Sequence, residues 1–290
     1  MRVWRNWQTR KIQVLVLSPE CRFNSCHPHQ KKPPKGGFFQ RIKSPTGFNS
    51  FHISANAEIF HNAERCYFTF AEGKYFTEKV HSMLNELLTR YPVLCQCRDD
   101  IIAAKEAISE TYKGGGKLLV CGNGGSCADS DHIVGELMKG FLKKRTLSDG
   151  QKAEMKANCP DLDDEALSKL QGALPAIALP SLTALGSAFC NDVEADLVYA
   201  QGVLGLRKKG DVLICISTSG NSKNVVAAAK VAKGIGVKTV ALTGKKGGAL
   251  KNICDVSVCV PETETFKVQE LHLPVYHYVC AAIEDEFFAE

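Results

Sequence analysis

No apolar run in the 290 residues approaches the roughly 18 to 20 positions that a membrane-spanning helix needs, because charges, glycines or polar residues interrupt every candidate. A secretory signal is missing as well. Val14 to Leu17 is too short an apolar core, and no small-residue cleavage site follows it. Tryptophan is scarce, and both copies, Trp4 and Trp7, lie at the extreme N-terminus. Neither the dinucleotide G-x-G-x-x-G nor the Walker G-x-x-x-x-G-K pattern is found at a strand end. Cys95 and Cys97 have no second pair at zinc-finger spacing. What is present, 44% hydrophobic and 23% charged residues, is the balance of a globular chain and excludes collagen-like, coiled-coil and wholly disordered readings.

The net charge of +5 is unevenly spread. Residues 1–75 hold 12 Lys plus Arg against 4 Glu, whereas the remainder holds 24 basic against 27 acidic residues. The basic excess that would otherwise suggest a nucleic-acid partner is therefore confined to the first quarter, and none is expected for the body. The 13 cysteines are odd in number, and Cys121, Cys215, Cys259 and Cys280 sit inside apolar strand or helix patterns. Buried, reduced thiols of a cytoplasmic protein are the expectation, not a disulfide framework.

Residues 1–75 show no sustained periodicity and carry the Lys31-Lys32-Pro33-Pro34-Lys35-Gly36-Gly37 cluster. Three readings stay open for them: a spurious extension from a start placed too far upstream, a disordered basic arm, or a targeting segment. The run from Arg2 to Val16 resembles the peptide obtained when a transfer-RNA gene is translated, which places the real start near residues 70 to 83.

From residue 76 the pattern alternates. Phe76 to Tyr112 has apolar residues at helical spacing and breaks at Tyr91-Pro92. A short apolar strand, Lys117 to Cys121, is followed by a helix from about Cys127 to Phe141. Residues 142–171 are polar and helix-prone and read as an insertion outside the core. Strands are expected at Pro175 to Leu179, Val212 to Ile216, Lys238 to Thr243 and Asp255 to Val260, with helices at Asn224 to Gly234 and Phe266 to Phe287. Apolar strands alternating with helices imply a parallel sheet covered on both faces.

In such a sheet ligands bind beyond the carboxyl ends of the strands. After the first strand comes Gly122-Asn123-Gly124-Gly125-Ser126, and after the third Ser217-Thr218-Ser219-Gly220-Asn221-Ser222. Each leads into a helix, so backbone N–H groups, the helix dipole and the serine hydroxyls suit a phosphate. Either loop alone is equally ordinary turn and N-cap chemistry. His132 and Glu136 lie four apart on one helical face, and Gln269 and His277 lie eight apart on the last helix. Together they would supply four nitrogen and oxygen donors for zinc, although an H-x-x-x-E pair by itself is usually a solvated or core pair.

These two loops, together with Asp129, His132, Glu136, Asn191-Asp192, Leu242-Thr243-Gly244, Gln269-Glu270 and His277, resemble the sugar isomerase (SIS) domain and, within it, the phosphoheptose isomerase family. The resemblance runs from about residue 80 to the C-terminus, without the insertion. It implies a doubly wound, flavodoxin-like three-layer α/β sandwich and a homotetramer with shared sites. It further implies one zinc per subunit on His132, Glu136, Gln269 and His277. Asn123, Gly124, Ser126, Ser217, Thr218, Ser219 and Ser222 would bind substrate and its phosphate, with Asp192 and Gln269 completing the site. Glu136 would be the base that moves a proton between C1 and C2, and His277 its acid partner. The implied reaction converts sedoheptulose 7-phosphate to a heptose 7-phosphate through a metal-assisted enediol. Two other readings are a non-catalytic sugar-phosphate-binding regulator or adaptor, and an isomerase or deaminating enzyme for a different sugar phosphate. The chain departs from the family in two places: Gly140, with Lys139 beside it, stands where familiar members have an Arg, and the insertion follows the metal helix directly.

Overall fold

Runs such as Leu118-Leu119-Val120-Cys121 and Val212-Leu213-Ile214-Cys215-Ile216 are apolar at every position, so they are stable only as interior strands with helices on both sides. That is where they lie in the computed structural model, which describes residues 78–288, with side chains from residue 82 on. All of these residues fall within the unit formed by residues 55–290. The readings made for residues 1–75 lie outside the described residues.

Helix α1, Glu78–Arg90, stops at Tyr91, and Pro92 opens a 3₁₀ turn that leads into α2, Arg98–Lys113. Strand β1, Leu118–Gly122, runs into α3, Gly125–Met138. Two short helices follow, α4 at Asp149–Asn158 and α5 at Asp164–Lys169. Strand β2, Ala176–Ala178, leads to α6, Thr183–Asp192, and α7, Val198–Leu206. The remainder is β3 Val212–Ser217, α8 Lys223–Gly234, β4 Lys238–Thr243, α9 Leu250–Ile253, β5 Val256–Cys259 and α10 Thr265–Phe287.

The five strands form one parallel sheet in the order β2-β1-β3-β4-β5, with Cys121 opposite Cys215 and Ser217 opposite Thr243. The two faces bury different helices. Leu118, Val120, Ile214, Ile216 and Val240 pack with Ile133 and Leu137 of α3 and Val275, Val279 and Ile283 of α10. Leu119, Cys121, Leu213 and Cys215 pack with Val203 of α7 and Val225, Ala228 and Ala232 of α8. This is the doubly wound arrangement, and it makes α3 and α10 neighbours on one face. The order reverses between β1 and β3, the switch point where such sheets bind ligands. No described helix is long and apolar enough to cross a membrane. The ten described cysteines are free thiols.

The stretch from 142 to 171 is not wholly outside the core. Its tip is exposed and locally capped: Ser148 and Gln151 form a capping box for α4, and Asp163 caps α5. Its neck is built in. Arg145 is only 5% exposed and Leu167 only 1%, and Thr146 bridges to Gln171 in antiparallel fashion.

Candidate active site

The glycine loop leaves β1 at a place where a side chain would not fit. A Cβ on Gly122 would lie 2.5 Å from the Ser126 carbonyl oxygen, and Gly124 has φ +55°. Asn123 faces outward and exchanges amide hydrogen bonds with Asn224, Nδ2 to Oδ1 at 2.8 Å and the reverse at 3.0 Å. The Tyr199 hydroxyl bridges Asn123 Oδ1 (3.0 Å) and the Gly122 carbonyl (2.9 Å). These contacts tie the loop after β1 to the start of α8, across the switch point. Ser126 is buried in the first turn of α3.

The serine loop is equally fixed. Ser217 and Ser222 share a 3.0 Å hydroxyl–hydroxyl bond, Gly220 turns with φ +68°, and Ser219 Oγ accepts from the Asn221 N–H. Thr218 is held through its carbonyl, which accepts from Gly244 N–H at 3.0 Å. The Ser219 side chain is exposed, while Ser217 is buried beneath it. Neither cap residue, Gly124 for α3 or Ser222 for α8, takes up a helix N–H with its side chain. Helices of 14 and 12 residues thus begin at the switch point beside the exposed Ser219 hydroxyl, which accepts from Asn221 and still has its own hydrogen to donate, and this is anion-binding chemistry.

Beyond the loops, α3 and α10 bring His132, Glu136 and His277 together. His132 Nε2 lies 3.2 Å from Glu136 Oε1 and 3.5 Å from His277 Nε2. Gln269 comes from two turns earlier on α10 and packs against the glycine loop, its Nε2 2.5 Å from where a Gly125 Cβ would fall. Glu136 Oε2 accepts from Lys139 Nζ at 3.0 Å. Burial lowers the basicity of His277, the neighbouring His132 adds to this, and Glu136 opposes it.

Two residues behind the cluster fix the His132 ring. The Tyr276 hydroxyl donates to Asp129 Oδ1 at 3.2 Å and lies 3.0 Å from His132 Nδ1. Having one hydrogen and giving it to Asp129, Tyr276 can only accept from the neutral ring, so Nδ1 carries the proton and Nε2 keeps its lone pair. In that tautomer the Nε2 lone pair faces Glu136 Oε1. Asp129 Oδ2 is buried without a hydrogen-bond partner, and burial pushes this carboxyl up, against the pull of Tyr276 and His132.

Among the described residues no three His, Cys, Asp or Glu side chains already enclose a metal-sized point. The donor chemistry nevertheless fits. Two opposed acceptors are what a cation relieves, and with zinc–ligand distances of about 2.0 to 2.1 Å the edges of a tetrahedral site are roughly 3.3 Å, close to the two separations at His132 Nε2.

Asp192 stands apart. It ends α6 exposed, accepts from Asn191 Nδ2 at 2.7 Å, and has no bond to the His132 group or the serine loop. The missing Arg has a steric cause. A Cβ at Gly140 would lie 2.1 Å from the Lys143 carbonyl oxygen, so this backbone admits only glycine there, and Lys139 supplies the nearby cation. Sequence reasoning missed Tyr199, Asn224, Tyr276, Arg145 and Glu284. Their partners lie far off in the chain, and no local spacing marks them.

A model of the SIS domain matches residues 165–244. The phosphoheptose isomerase of a Nitratiruptor species is 39% identical over 192 residues, which span 66% of this chain and 89% of that protein. The probable phosphoheptose isomerase of Thermoplasma acidophilum is 39% identical, spanning 65% of this chain and 90% of its own length. The solved structure of phosphoheptose isomerase GmhA from Neisseria gonorrhoeae is similar with a TM-score of 0.53 and 30% identity, over 71% of this chain and 98% of that one.

Proposed function

The chain belongs to the phosphoheptose isomerase family of SIS-domain proteins, and on that premise we propose that it interconverts sedoheptulose 7-phosphate and a heptose 7-phosphate through an enediol, with zinc held by His132, Glu136, Gln269 and His277. It is a sugar-phosphate isomerase. The observation that carries the finer reading is the convergence of Glu136 and His277 on His132, next to two uncapped helix N-termini.

Ser219, Thr218, Ser126 and the N–H groups opening α3 and α8 bind the phosphate, which anchors the sugar so that its carbonyl end reaches the His132 cluster. Asn123 and Asn224 hold the two loops at a fixed separation and so set the distance from phosphate to reacting carbons. Bound there, zinc would polarise the substrate carbonyl as a Lewis acid. The Glu136 carboxylate takes the proton from one carbon and returns it to the next, and His277, kept neutral by burial, serves the oxygen. Glu136 would thus help to hold the zinc as well as carry the proton. We take the active form to be a cytoplasmic homotetramer. Helix α6 supports association with further copies, since none of its residues is buried within the subunit and it ends in Asn191-Asp192.

Incubating the protein with sedoheptulose 7-phosphate in D₂O tests the reading: aldose should form, deuterium should enter the sugar, and a chelator should stop both until zinc is restored. Glu136→Gln should lower proton exchange by roughly 10²- to 10⁴-fold with binding retained. Binding without turnover in the wild type would overturn the isomerase reading in favour of an adaptor, and unchanged exchange in Glu136→Gln would overturn the base assignment.

A further inference from the structure

Arg145 is the only described non-glycine residue with positive φ, at +46°, and its side chain is fully buried. Its guanidinium donates from Nε to Glu284 Oε1 at 2.7 Å, from Nη1 to the Leu137 carbonyl at 2.6 Å and from Nη2 to the Glu136 carbonyl at 3.0 Å. It also lies 4.6 Å from the centre of the Phe288 ring. Glu284 in turn accepts from the N–H groups of Phe141 (2.8 Å), Leu142 (2.7 Å) and Lys143 (3.2 Å). Burial alone would raise this carboxyl, but the loop N–H groups and the guanidinium outweigh it and hold it below its ordinary value.

The last carbonyls of a helix lack intrahelical partners, and α3 has no glycine cap to close them, because the chain leaves it extended at Lys139 with φ −136° and ψ 173°. One guanidinium reaches two of them, the Leu137 carbonyl accepting from the Leu174 N–H as well, and fastens the same end to α10. We propose that Arg145 is a positioning residue for the isomerase reaction: with Glu284 it forms a buried strut that fixes the end of α3, and so the Glu136 carboxylate, against α10 and His277. The proposal rests on the roles given above to Glu136 and His277. Glu284 lies seven residues beyond His277 on the same helix, about 10 Å along its axis, so the strut and the site are two ends of one rigid pair. A planar fork fixes both distance and angle, whereas an ammonium fixes neither. Catalytic groups lose about 10²-fold for a displacement near 1 Å, so the strut acts on the rate and not on substrate affinity.

The test compares Arg145→Lys and Glu284→Gln with the wild type by kcat, KM, thermal melting and amide hydrogen exchange along α3. In Arg145→Lys, melting well above the assay temperature, kcat should fall at least about tenfold with KM within about threefold. Exchange at residues 136–138 should speed up while the rest of α3 keeps its protection. Wild-type kcat in a folded Arg145→Lys overturns the proposal, as does a loss that only follows the unfolded fraction. Glu284→Gln keeps the shape but turns one of the two accepting oxygens into an NH2 group, which breaks one side of the strut, and it decides the matter by the same readings if Arg145→Lys does not fold. A wild type that turns over no sugar phosphate fails the proposed function instead, whereas the exchange measurement, made without substrate, reads the strut by itself.

Discussion

At the residue scale, Gly140 links a sequence difference to a mechanical need. The loop from Gly140 to Arg145 doubles back so tightly that the Lys143 carbonyl fills the space a Cβ would take. The tightness has a purpose, since it aims three successive N–H groups at Glu284 and returns Arg145 beneath the end of α3. Gly140 N–H itself donates to Gln171 Oε1 at 2.7 Å, which closes the neck from the other side. Gly140→Ala is therefore expected to lower the free energy of unfolding by roughly 1 to 3 kcal/mol, the usual cost of forcing atoms into a packed space. Equilibrium urea unfolding gives the answer. A variant as stable as the wild type would mean that the loop yields easily and that sterics do not account for glycine at this position.

Among the elements, the two short helices after α3 separate into a dispensable tip and an indispensable neck. α4 buries no residue and is held by its own capping box, while Leu167 of α5 and Arg145 before α4 are buried. Replacing residues 149–162 by a short glycine linker, which leaves the Asp163 cap of α5 in place, should leave melting and turnover close to wild type, because closing a surface loop costs little entropy. Replacing 145–168 should depress both, since it removes the strut and a core leucine. Equal behaviour of the two deletions, followed by circular dichroism melts and kcat, would show the neck to be passive. The strands, α3, α8 and α10 were legible because short runs of mostly apolar residues, five in a row at β3, or a 3.6-residue stripe, need no distant partner to be recognised. The neck was not, because Arg145 lies in a stretch of Lys, Ser and Asp and its partner is 139 residues away. Helices α6 and α7 also escaped: α6 is apolar yet turned outward, so its sequence has no stripe dividing core from solvent. Of the candidate site, both loops and His132, Glu136, Gln269 and His277 could be read as motifs. The Asp129–Tyr276–His132 chain could not be read, because only the packing of α10 on α3 aligns it.

For the whole molecule, the unexplained feature is apolar surface. α6 carries Leu185 and Phe189, both half-buried, and two alanines, and it is followed by Val193 at 65% and Leu197 at 44% exposure. Contiguous exposed apolar surface of this kind marks an interface. It is continuous with Asn191-Asp192, site residues by motif that meet nothing catalytic in their own subunit. Both facts are satisfied if a second copy covers α6 and receives Asp192 into its cleft. Sedimentation velocity at micromolar concentration should therefore show a tetramer for the wild type and smaller species for Val193→Glu with Leu197→Glu, since burying two carboxylates against apolar partners is strongly unfavourable. Turnover should fall with the assembly while each subunit keeps its sheet, as helical and strand circular dichroism would report. A wild type that sediments as a monomer and still turns over substrate would remove the reason for an outward-facing α6 and leave Asp192 without a role.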